Sequence, residues 1–247
     1  KMKKKILNND VRDYFFDGVY DLAKKNKNII FLTSDHTAFS LIKFQKELPK
    51  QFVNLGIAEQ NIISIAAGLA LNKKIVFVYG IAPFVTFRCF EQINIDVCSM
   101  NLNVNIISMG SGLTYSSDGP THHGIQDQAL MSTLPNMSIL NVSDPFNARY
   151  LPKLTLKSNG PKIFRIEKGK LNCLYNSERE IKNGFGYFSS NSKNIIVSTG
   201  IMSQTAYEIK NHYHNRNKNI SLLDLIKVKP LNKKKLLNIL KKYKTIF

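Results

Sequence analysis

The chain has 247 residues, of which 43% are hydrophobic and 21% are charged. This composition is typical of a globular protein and excludes disordered, collagen-like and low-complexity classes. Its 35 Lys and Arg residues against 17 Asp and Glu residues give a formal net charge of +18. The lysines lie in short scattered groups, such as residues 1–5 and 233–235, without the interleaved aromatic residues or zinc signatures of nucleic-acid-binding modules. We therefore expect no nucleic-acid partner.

The cysteines and the hydropathy pattern predict a cytoplasmic protein. Cys89, Cys98 and Cys173 show no CxxC spacing, which favours neither a disulfide framework nor a zinc site. The basic N-terminal run is not followed by an apolar segment, and no stretch reaches the ~18–20 apolar residues of a membrane span. We expect no signal peptide, no membrane anchor and a reducing compartment.

Short apolar, β-branched runs alternate with segments of helical period through the first two thirds of the chain. The predicted strands are residues 28–33, 51–55, 74–79, 104–108, 137–142 and 162–166. The predicted helices are residues 11–25, 58–71, 84–100, 126–134 and 145–157. This alternation predicts an α/β fold with a doubly wound parallel sheet.

The pattern lapses over residues 169–192, so we place a domain boundary near residue 185. The predicted domains are residues 1–185 and 186–247. The second begins a new α/β pattern, with strands at 194–199 and 220–226, helices at 202–213 and 232–240, and the start of a strand at 245–247. Because a parallel sheet needs its strands paired and covered, this second domain is expected to be incomplete.

Unusual polar residues follow the predicted strands. Ligands of open α/β sheets bind beyond the carboxyl ends of the strands, so these residues are site candidates. They are Ser34-Asp35-His36 after the first strand, Glu59-Gln60 after the second, a glycine-rich loop with Asp118, His122 and His123 after the fourth, and Arg165 at the end of the sixth.

Glu59 is the most informative of these residues because it opens an otherwise apolar helix with few neighbours to solvate a charge. A buried carboxyl group there would favour its protonated form and could share a proton with a ring nitrogen. A carboxylate that simply interacts with the helix dipole fits the sequence equally well.

Phe84, Phe87 and Phe90 recur at helical spacing and could form a wall for a heteroaromatic ring, although a core stripe is the commoner meaning of such spacing. His122 and His123 are adjacent, so only one can point into a given pocket, and neither has metal-ligand spacing to a third ligand. The loop glycines match neither GxGxxG nor a P-loop.

Three motifs occur in order on this scaffold: Leu-Gly-Ile-Ala-Glu-Gln at 55–60, Arg-Cys-Phe-Glu-Gln-Ile at 88–93, and Asp-Gly-Pro-Thr-His-His-Gly-Ile-Gln-Asp at 118–127. Together they resemble thiamine-diphosphate enzymes of the transketolase family, and most of all the C-terminal subunit of split transketolases. The resemblance extends from about residue 8 to residue 247. It implies that residues 1–185 are the pyrimidine-binding domain and that the remainder begins the family's C-terminal domain.

The resemblance implies a cofactor role for four residues. Glu59 matches the glutamate that hydrogen-bonds the aminopyrimidine ring of thiamine diphosphate and promotes formation of the cofactor's own ylid, which makes it a catalytic residue. Phe84 and Phe87, with Phe90 beside them, match positions that stack against the pyrimidine.

The resemblance also implies substrate contacts. His122 matches a catalytic histidine that reaches the first hydroxyls of the substrate, and Asp118 matches an aspartate that reads the C2 hydroxyl of the acceptor. Arg12 and Arg165 match phosphate-binding positions, and Asp35 completes the predicted substrate-binding set. A phosphate-reading histidine of the family falls on Gly110 and a phosphate-contacting serine falls near Phe39-Ser40, so we expect the phosphate end of the substrate to differ.

The chain contains no Gly-Asp-Gly motif, with which the family binds Mg2+ and the diphosphate. The resemblance therefore implies an N-terminal, diphosphate-binding partner subunit and an α2β2 assembly that is active only when both chains are present. The implied reaction transfers a two-carbon ketol unit from a ketose or ketose phosphate to an aldose.

Three alternatives stay open: a 1-deoxyxylulose-5-phosphate synthase-like enzyme, a 2-oxo-acid dehydrogenase β-like subunit, and a non-catalytic regulatory subunit. The Asp118-Gly-Pro-Thr-His122 motif favours transketolase over the first two, and the presence of Glu59, Asp118 and His122 argues against the third.

Overall fold

The structure is a computed structural model that describes residues 10–247. The basic run at residues 1–5 lies outside the described residues. Within the described range, none of the helices combines the length and the apolar character needed to cross a bilayer.

The larger sheet has six parallel strands, β1 (Ile29–Thr33), β2 (Phe52–Asn54), β3 (Ile75–Ile81), β4 (Val104–Met109), β5 (Ser138–Asn141) and β6 (Lys162–Ile166). Their order across the sheet is β5-β6-β4-β3-β1-β2, and every neighbouring pair is parallel. The chain places β2 on one side of β1 and β3 on the other, so the strand order reverses between β1 and β3. In a doubly wound sheet such a reversal creates a crevice at the carboxyl edge. The predicted fold class is confirmed.

Helices cover both faces of this sheet. They are α1 (Val11–Ala23), α2 (Phe39–Glu47), α3 (Glu59–Leu71), α4 (Ala82–Thr86), α5 (Phe90–Gln92), α6 (Asp127–Ser132) and α7 (Pro145–Tyr150). Successive residues of β3 alternate between the two cores: Phe77 and Tyr79 pack with α1, whereas Val76 and Val78 pack with α3. This alternation explains why the inner strands are apolar on both faces and almost entirely buried, unlike the edge strand β2.

Helical segments differ from the prediction at several places; for example, the helix predicted at 145–157 ends at Tyr150 and a 3₁₀ helix follows over Leu151–Leu156. The segment α2 was not predicted at all. The single helix predicted at 84–100 is wrong in detail, because the chain turns between α4 and α5 and then widens over Ile93–Cys98. In this wider part the backbone N–H of Ser99 reaches back five residues to the carbonyl of Asn94, at 3.0 Å. Such wide turns are frequently found near functional sites.

A second, smaller sheet follows. The remaining elements are α8 (Glu178–Ile181), β7 (Phe185–Phe188), β8 (Asn194–Ser198), α9 (Met202–His214), β9 (Ser221–Leu225), β10 (Lys227–Lys229), α10 (Lys233–Leu240) and β11 (Thr245–Ile246). The small sheet has the order β11-β8-β9-β7, while β10 pairs antiparallel with β5 at the edge of the larger sheet. The division at residue 185 stays a prediction.

A buried polar cluster joins the two sheets. The carboxylate of Asp224, in β9, is fully buried. It accepts hydrogen bonds from Ser143 Oγ at 2.5 Å, Tyr175 Oη at 2.6 Å and Ser203 Oγ at 2.6 Å. Since Ser143 closely follows β5, one buried carboxylate fixes the position of the small sheet against the large one. Burial without these hydroxyl donors would be strongly unfavourable.

We expect Asp224→Ala to lower the free energy of unfolding by at least about 2 kcal/mol, because it leaves buried hydroxyl groups without their acceptor. Urea denaturation followed by circular dichroism measures this loss. Asp21→Ala is the matched control: its ion pair with Arg149 is about half exposed on both sides, and exposed pairs are worth at most about 1 kcal/mol. Equal losses in the two variants would contradict the role assigned to Asp224.

Candidate functional site

The candidate site lies at the carboxyl edge of the larger sheet, where β1, β3 and β4 end. The side chains found there come from α1, α3, α4, the strand ends and the long loop after β4. They are Arg12, His36, Glu59, Tyr79, Phe84, Arg88, Tyr115 and His122. Residues distant in sequence thus line one crevice, as the polar residues after the strands predict.

Glu59 begins α3 and is only 3% exposed. Its Oε2 lies 2.8 Å from Arg88 Nη1, and the Arg88 guanidinium lies 4.5 Å from the centroid of the Phe84 ring. Oε1 of Glu59 has no hydrogen-bond partner among residues 10–247. The expectation that Glu59 has few neighbours to stabilise a charge is wrong, because Arg88 supplies a counter-charge in addition to the helix N-terminus.

Phe84 is the one of the three predicted phenylalanines that contacts other site residues. Its ring centroid lies 5.0 Å from that of His122, with the planes at 65°. Phe87 is half-buried, and Phe90 packs against the apolar core beneath α3. The His122 ring is fixed by Thr121 Oγ1, which lies 3.0 Å from Nδ1.

His36, one of the site candidates that follow the first predicted strand, lies at the site, although the resemblance assigns it no role. It is half-buried, its Nδ1 lies 3.2 Å from Ser34 Oγ, and its ring centroid is 6.0 Å from that of Tyr79. Burial lowers the pKa of His36, while the nearby Glu59 acts in the opposite direction. The imidazole is therefore neutral near pH 7 and can either donate or accept a hydrogen bond. Its position directly after β1 is what made it a candidate in the sequence.

Asp35 and Asp118 lie on the exposed rim of the crevice. Asp35 has a left-handed backbone, with φ of 59°, and exchanges two hydrogen bonds with Asn54, whose Oδ1 accepts from Asp35 N at 3.0 Å. Asp118 lies in a turn in which its N–H donates to the carbonyl of Tyr115 at 3.1 Å. The carboxylate of Asp118 has no hydrogen-bond partner among residues 10–247, so it is free to meet a ligand.

The two predicted phosphate-binding arginines have different surroundings. Arg12 is half-buried beside Tyr79, and its Nε has no partner among the described residues. Arg165 donates through Nε and Nη2 to the buried Asp127, at 2.8 Å each, and through Nη1 to Gln128 and Asn141. The guanidinium of Arg165 thus anchors α6 to the sheet. This geometry does not favour the predicted phosphate contact of Arg165, which stays a prediction.

Tyr115 explains why position 110 is a glycine. Gly110 has φ of +80°, and a Cβ atom there would lie 2.2 Å from Tyr115 Cε2. The space that a larger side chain at this position would need is therefore filled by the Tyr115 ring. Lys168 Nζ lies 5.7 Å from the centroid of the same ring, which adds a positive charge that no sequence motif indicated.

Among residues 10–247, no group of three or more His, Cys, Asp or Glu side chains is placed to hold a metal ion. Cys89 and Cys98 are buried, and burial raises the pKa of each thiol to about 12. Neither thiol is therefore a nucleophile at neutral pH.

Comparisons with known proteins agree with this geometry. Residues 8–172 match the family model of the transketolase pyrimidine binding domain. The chain is 32% identical over 229 residues to a subunit of the apulose-4-phosphate transketolase of Phocaeicola vulgatus, and the match covers 90% of this chain and 72% of that relative. It is 31% identical over 240 residues to a 1-deoxy-D-xylulose-5-phosphate synthase of Fusobacterium nucleatum, and that match covers 95% of this chain and 39% of the relative.

A solved structure described as a split gene transketolase in an inactive beta4 tetramer superposes with a TM-score of 0.85 at 27% identity. The superposition covers 96% of this chain and 77% of that one. The chain therefore spans only part of the length of each of these proteins.

We expect Gly110→Ala to destabilise the protein by about 1–3 kcal/mol, since a side chain there meets Tyr115 in a backbone region that disfavours alanine. In a chain that already carries Tyr115→Ala, the same substitution meets no ring and only the backbone strain is left. Gly110→Ala should therefore cost less stability in the Tyr115→Ala background than in the unchanged chain. Thermal unfolding of the two single variants and the double variant measures this coupling. Strictly additive losses would show that Tyr115 does not fill this space.

Proposed function

Because the chain belongs to the transketolase pyrimidine-binding family, we propose that it forms the pyrimidine-binding half of a thiamine-diphosphate enzyme that transfers two-carbon ketol units. The donor would be a ketose or ketose phosphate and the acceptor an aldose. The observation that carries this proposal is Glu59: a buried carboxyl group, oriented by Arg88 through one oxygen, with the other oxygen unpaired at the carboxyl edge of the sheet.

The residues at this edge fit a heteroaromatic cofactor. Glu59 Oε1 would hydrogen-bond a ring nitrogen, and the half-buried Phe84 supplies an aromatic surface beside it. When bound, thiamine diphosphate supplies a nucleophilic thiazolium carbon and an electron sink. The protein's part is to present Glu59 Oε1 to the ring nitrogen with which a proton is exchanged, to keep that carboxyl group oriented by Arg88, and to exclude water from the buried side of the ring.

The other site residues support a polyhydroxylated, anionic substrate. Asp118 and His122 are the proposed hydroxyl-binding pair, and both lie on the loop after β4. Arg12, whose Nε is unpaired among the described residues, and Lys168, beside Tyr115, would bind an anionic group at the far end of the substrate. The P. vulgatus relative is named for a sugar phosphate, apulose-4-phosphate, and an anionic substrate agrees with that name.

An exposed apolar rim supports a partner chain. Phe39 is 81% exposed and Ile57 is 77% exposed, and Leu113 and Ile125 on and beside the loop after β4 are each 57% exposed. Exposed apolar residues clustered at a site are typical of an interface. We infer that an N-terminal transketolase subunit covers this rim, holds the diphosphate and Mg2+, and forms an α2β2 assembly. For both chains we propose a cytoplasmic location, which the free cysteines favour.

We expect Glu59→Gln to lower kcat at least about 100-fold, because proton transfer by a positioned side chain contributes this much or more. Native mass spectrometry of the untagged protein purified from its source should first identify a second chain and the mass of thiamine diphosphate with Mg2+. The variant is then assayed in that assembly.

Glu91→Gln is the matched control, since Glu91 is exposed and lies outside the crevice. An assembly that carries the cofactor and loses no activity on Glu59→Gln would contradict the assigned role. A chain that binds neither a partner nor the cofactor at saturating concentration would favour a non-catalytic subunit.

A second candidate function rests on the F. nucleatum match, which covers 95% of this chain. For a 2-oxo-acid dehydrogenase β-like subunit, the donor would be a 2-oxo acid. Ketose and 2-oxo-acid donors compared in the same assembly distinguish these possibilities: turnover with the ketose and release of an aldose support the transketolase reaction.

We expect Asp118→Ala to raise KM for an acceptor that carries a C2 hydroxyl by about 10- to 100-fold, which corresponds to the loss of one hydrogen bond to a charged group. KM for the 2-deoxy acceptor should stay unchanged. Ser117→Ala, at the exposed neighbouring position, is the control. An equal rise for both acceptors would mean that Asp118 does not contact this hydroxyl.

A further inference from the structure

The loop formed by residues 110–124, which we call the site loop, carries both proposed hydroxyl-binding residues. Its neck is closed by two backbone hydrogen bonds of 2.9 Å, from Gly112 N to the carbonyl of Gly124 and from Gly124 N to the carbonyl of Gly112. Beyond this neck, a contact between side chains joins the loop to the sheet. The hydroxyl of Thr114 meets the carboxyl group of Glu167, which directly follows β6.

The single hydroxyl hydrogen of Thr114 limits which of its contacts can be hydrogen bonds. Its Oγ1 lies 2.8 Å from the carbonyl oxygen of Ser111, an acceptor that needs the hydroxyl hydrogen. The same Oγ1 also contacts Oε2 of Glu167, and a hydroxyl has only one hydrogen to donate. Both contacts can be hydrogen bonds at once when Glu167 carries a proton and donates it to Thr114. A charged Glu167 would instead compete with Ser111 for that hydrogen.

The surroundings of Glu167 allow both the protonated and the charged form of its carboxyl group near neutral pH. Burial raises the pKa of Glu167 to about 7, Arg165 of β6 acts against this rise, and Asp127 of α6 acts in the same direction as burial. Arg165 has limited influence because its donors are bonded to Asp127, Gln128 and Asn141. The other titratable groups nearby are the half-buried Tyr115 and the exposed Lys168.

We propose that protonated Glu167 is a positioning residue, which holds the site loop through Thr114 so that Asp118 and His122 stay on the crevice. The roles of Asp118 and His122 rest on the proposed function. The contact between Glu167 and Thr114 does not.

The pH dependence has a definite sign. The pKa of Glu167 in the closed loop, about 7, is above the ordinary value of 4.5. The proton therefore stabilises the closed loop fully at a pH below 4.5, and this stabilisation is lost as the pH rises to about 7. Because one proton is involved, opening increases at most about tenfold per pH unit across that window, and it levels off above it.

Hydrogen–deuterium exchange of the whole chain tests this without cofactor or partner. After correction for the chemical exchange rate, peptides of the site loop should exchange about tenfold faster or more at pH 7 than at pH 5. Glu167→Gln, whose amide can donate to Thr114 at every pH, should abolish this dependence and keep the slow exchange. Glu167→Ala should exchange fast at every pH.

Glu178→Gln is the matched control, because Glu178 forms an exposed ion pair with Lys153 and is outside the crevice. Peptides from β3 report whether each variant is folded. A site loop whose corrected exchange is independent of pH in the unchanged chain would overturn the proposal, and so would a Glu167→Gln variant that responds to pH like the unchanged chain.

In an active assembly, the ratio of kcat/KM for Glu167→Gln to that of the unchanged enzyme should rise as the pH increases from 5 to 7, mainly through KM. A ratio independent of pH would contradict the positioning role. If exchange responds as expected while no ketose or 2-oxo-acid donor is turned over, the proposed function fails and the loop contact stands.

Discussion

The ion pair between Glu59 and Arg88 is the constraint on which the candidate site depends. A carboxyl group that is 3% exposed needs a charged or hydrogen-bonding partner, and Arg88 provides one at 2.8 Å. The pair also fixes the aromatic surface, because the guanidinium packs on the Phe84 ring one helical turn earlier. One oxygen of Glu59 is thereby immobilised, and the other has no hydrogen-bond partner among residues 10–247. The apolar helix α3 behind it keeps water away from the carboxyl group.

The parallel sheet makes this arrangement possible. Glu59 and Arg88 are separated by 29 residues, and they meet because α3 and α4 begin at the same edge of the sheet. The site loop leaves β4 at that edge as well, which brings His122 to Phe84. A rigid set of buried strands thus positions residues that are carried by short helices and loops, as is usual for binding sites in this fold class.

Local sequence predicted the strands of the larger sheet's parallel core to within a few residues, because their β-branched runs are buried on both faces. It failed for α2, where only Leu41 and Phe44 are buried and two large apolar residues are exposed, so the helical period is weak. It also failed for β10, whose lysines resemble surface residues. At the site, Glu59 was predicted from position and motif. Arg88 as its partner was not, because no local pattern encodes a contact across 29 residues.

The differences from the family pattern fall at Gly110 and near Phe39-Ser40. Glu59, Asp118 and His122, the proposed cofactor and hydroxyl contacts, lie in motifs that agree with the resemblance. Gly110 stands where the resemblance leads us to expect a histidine, and Tyr115, whose ring centroid lies 6.2 Å from that of His122, fills the space. Tyr115 lies within the loop that Thr114 ties to the sheet. The proposed substrate, a differently shaped anionic sugar, fits a chain that keeps the family's motifs at Glu59, Asp118 and His122 and fills the space beside Gly110 with Tyr115.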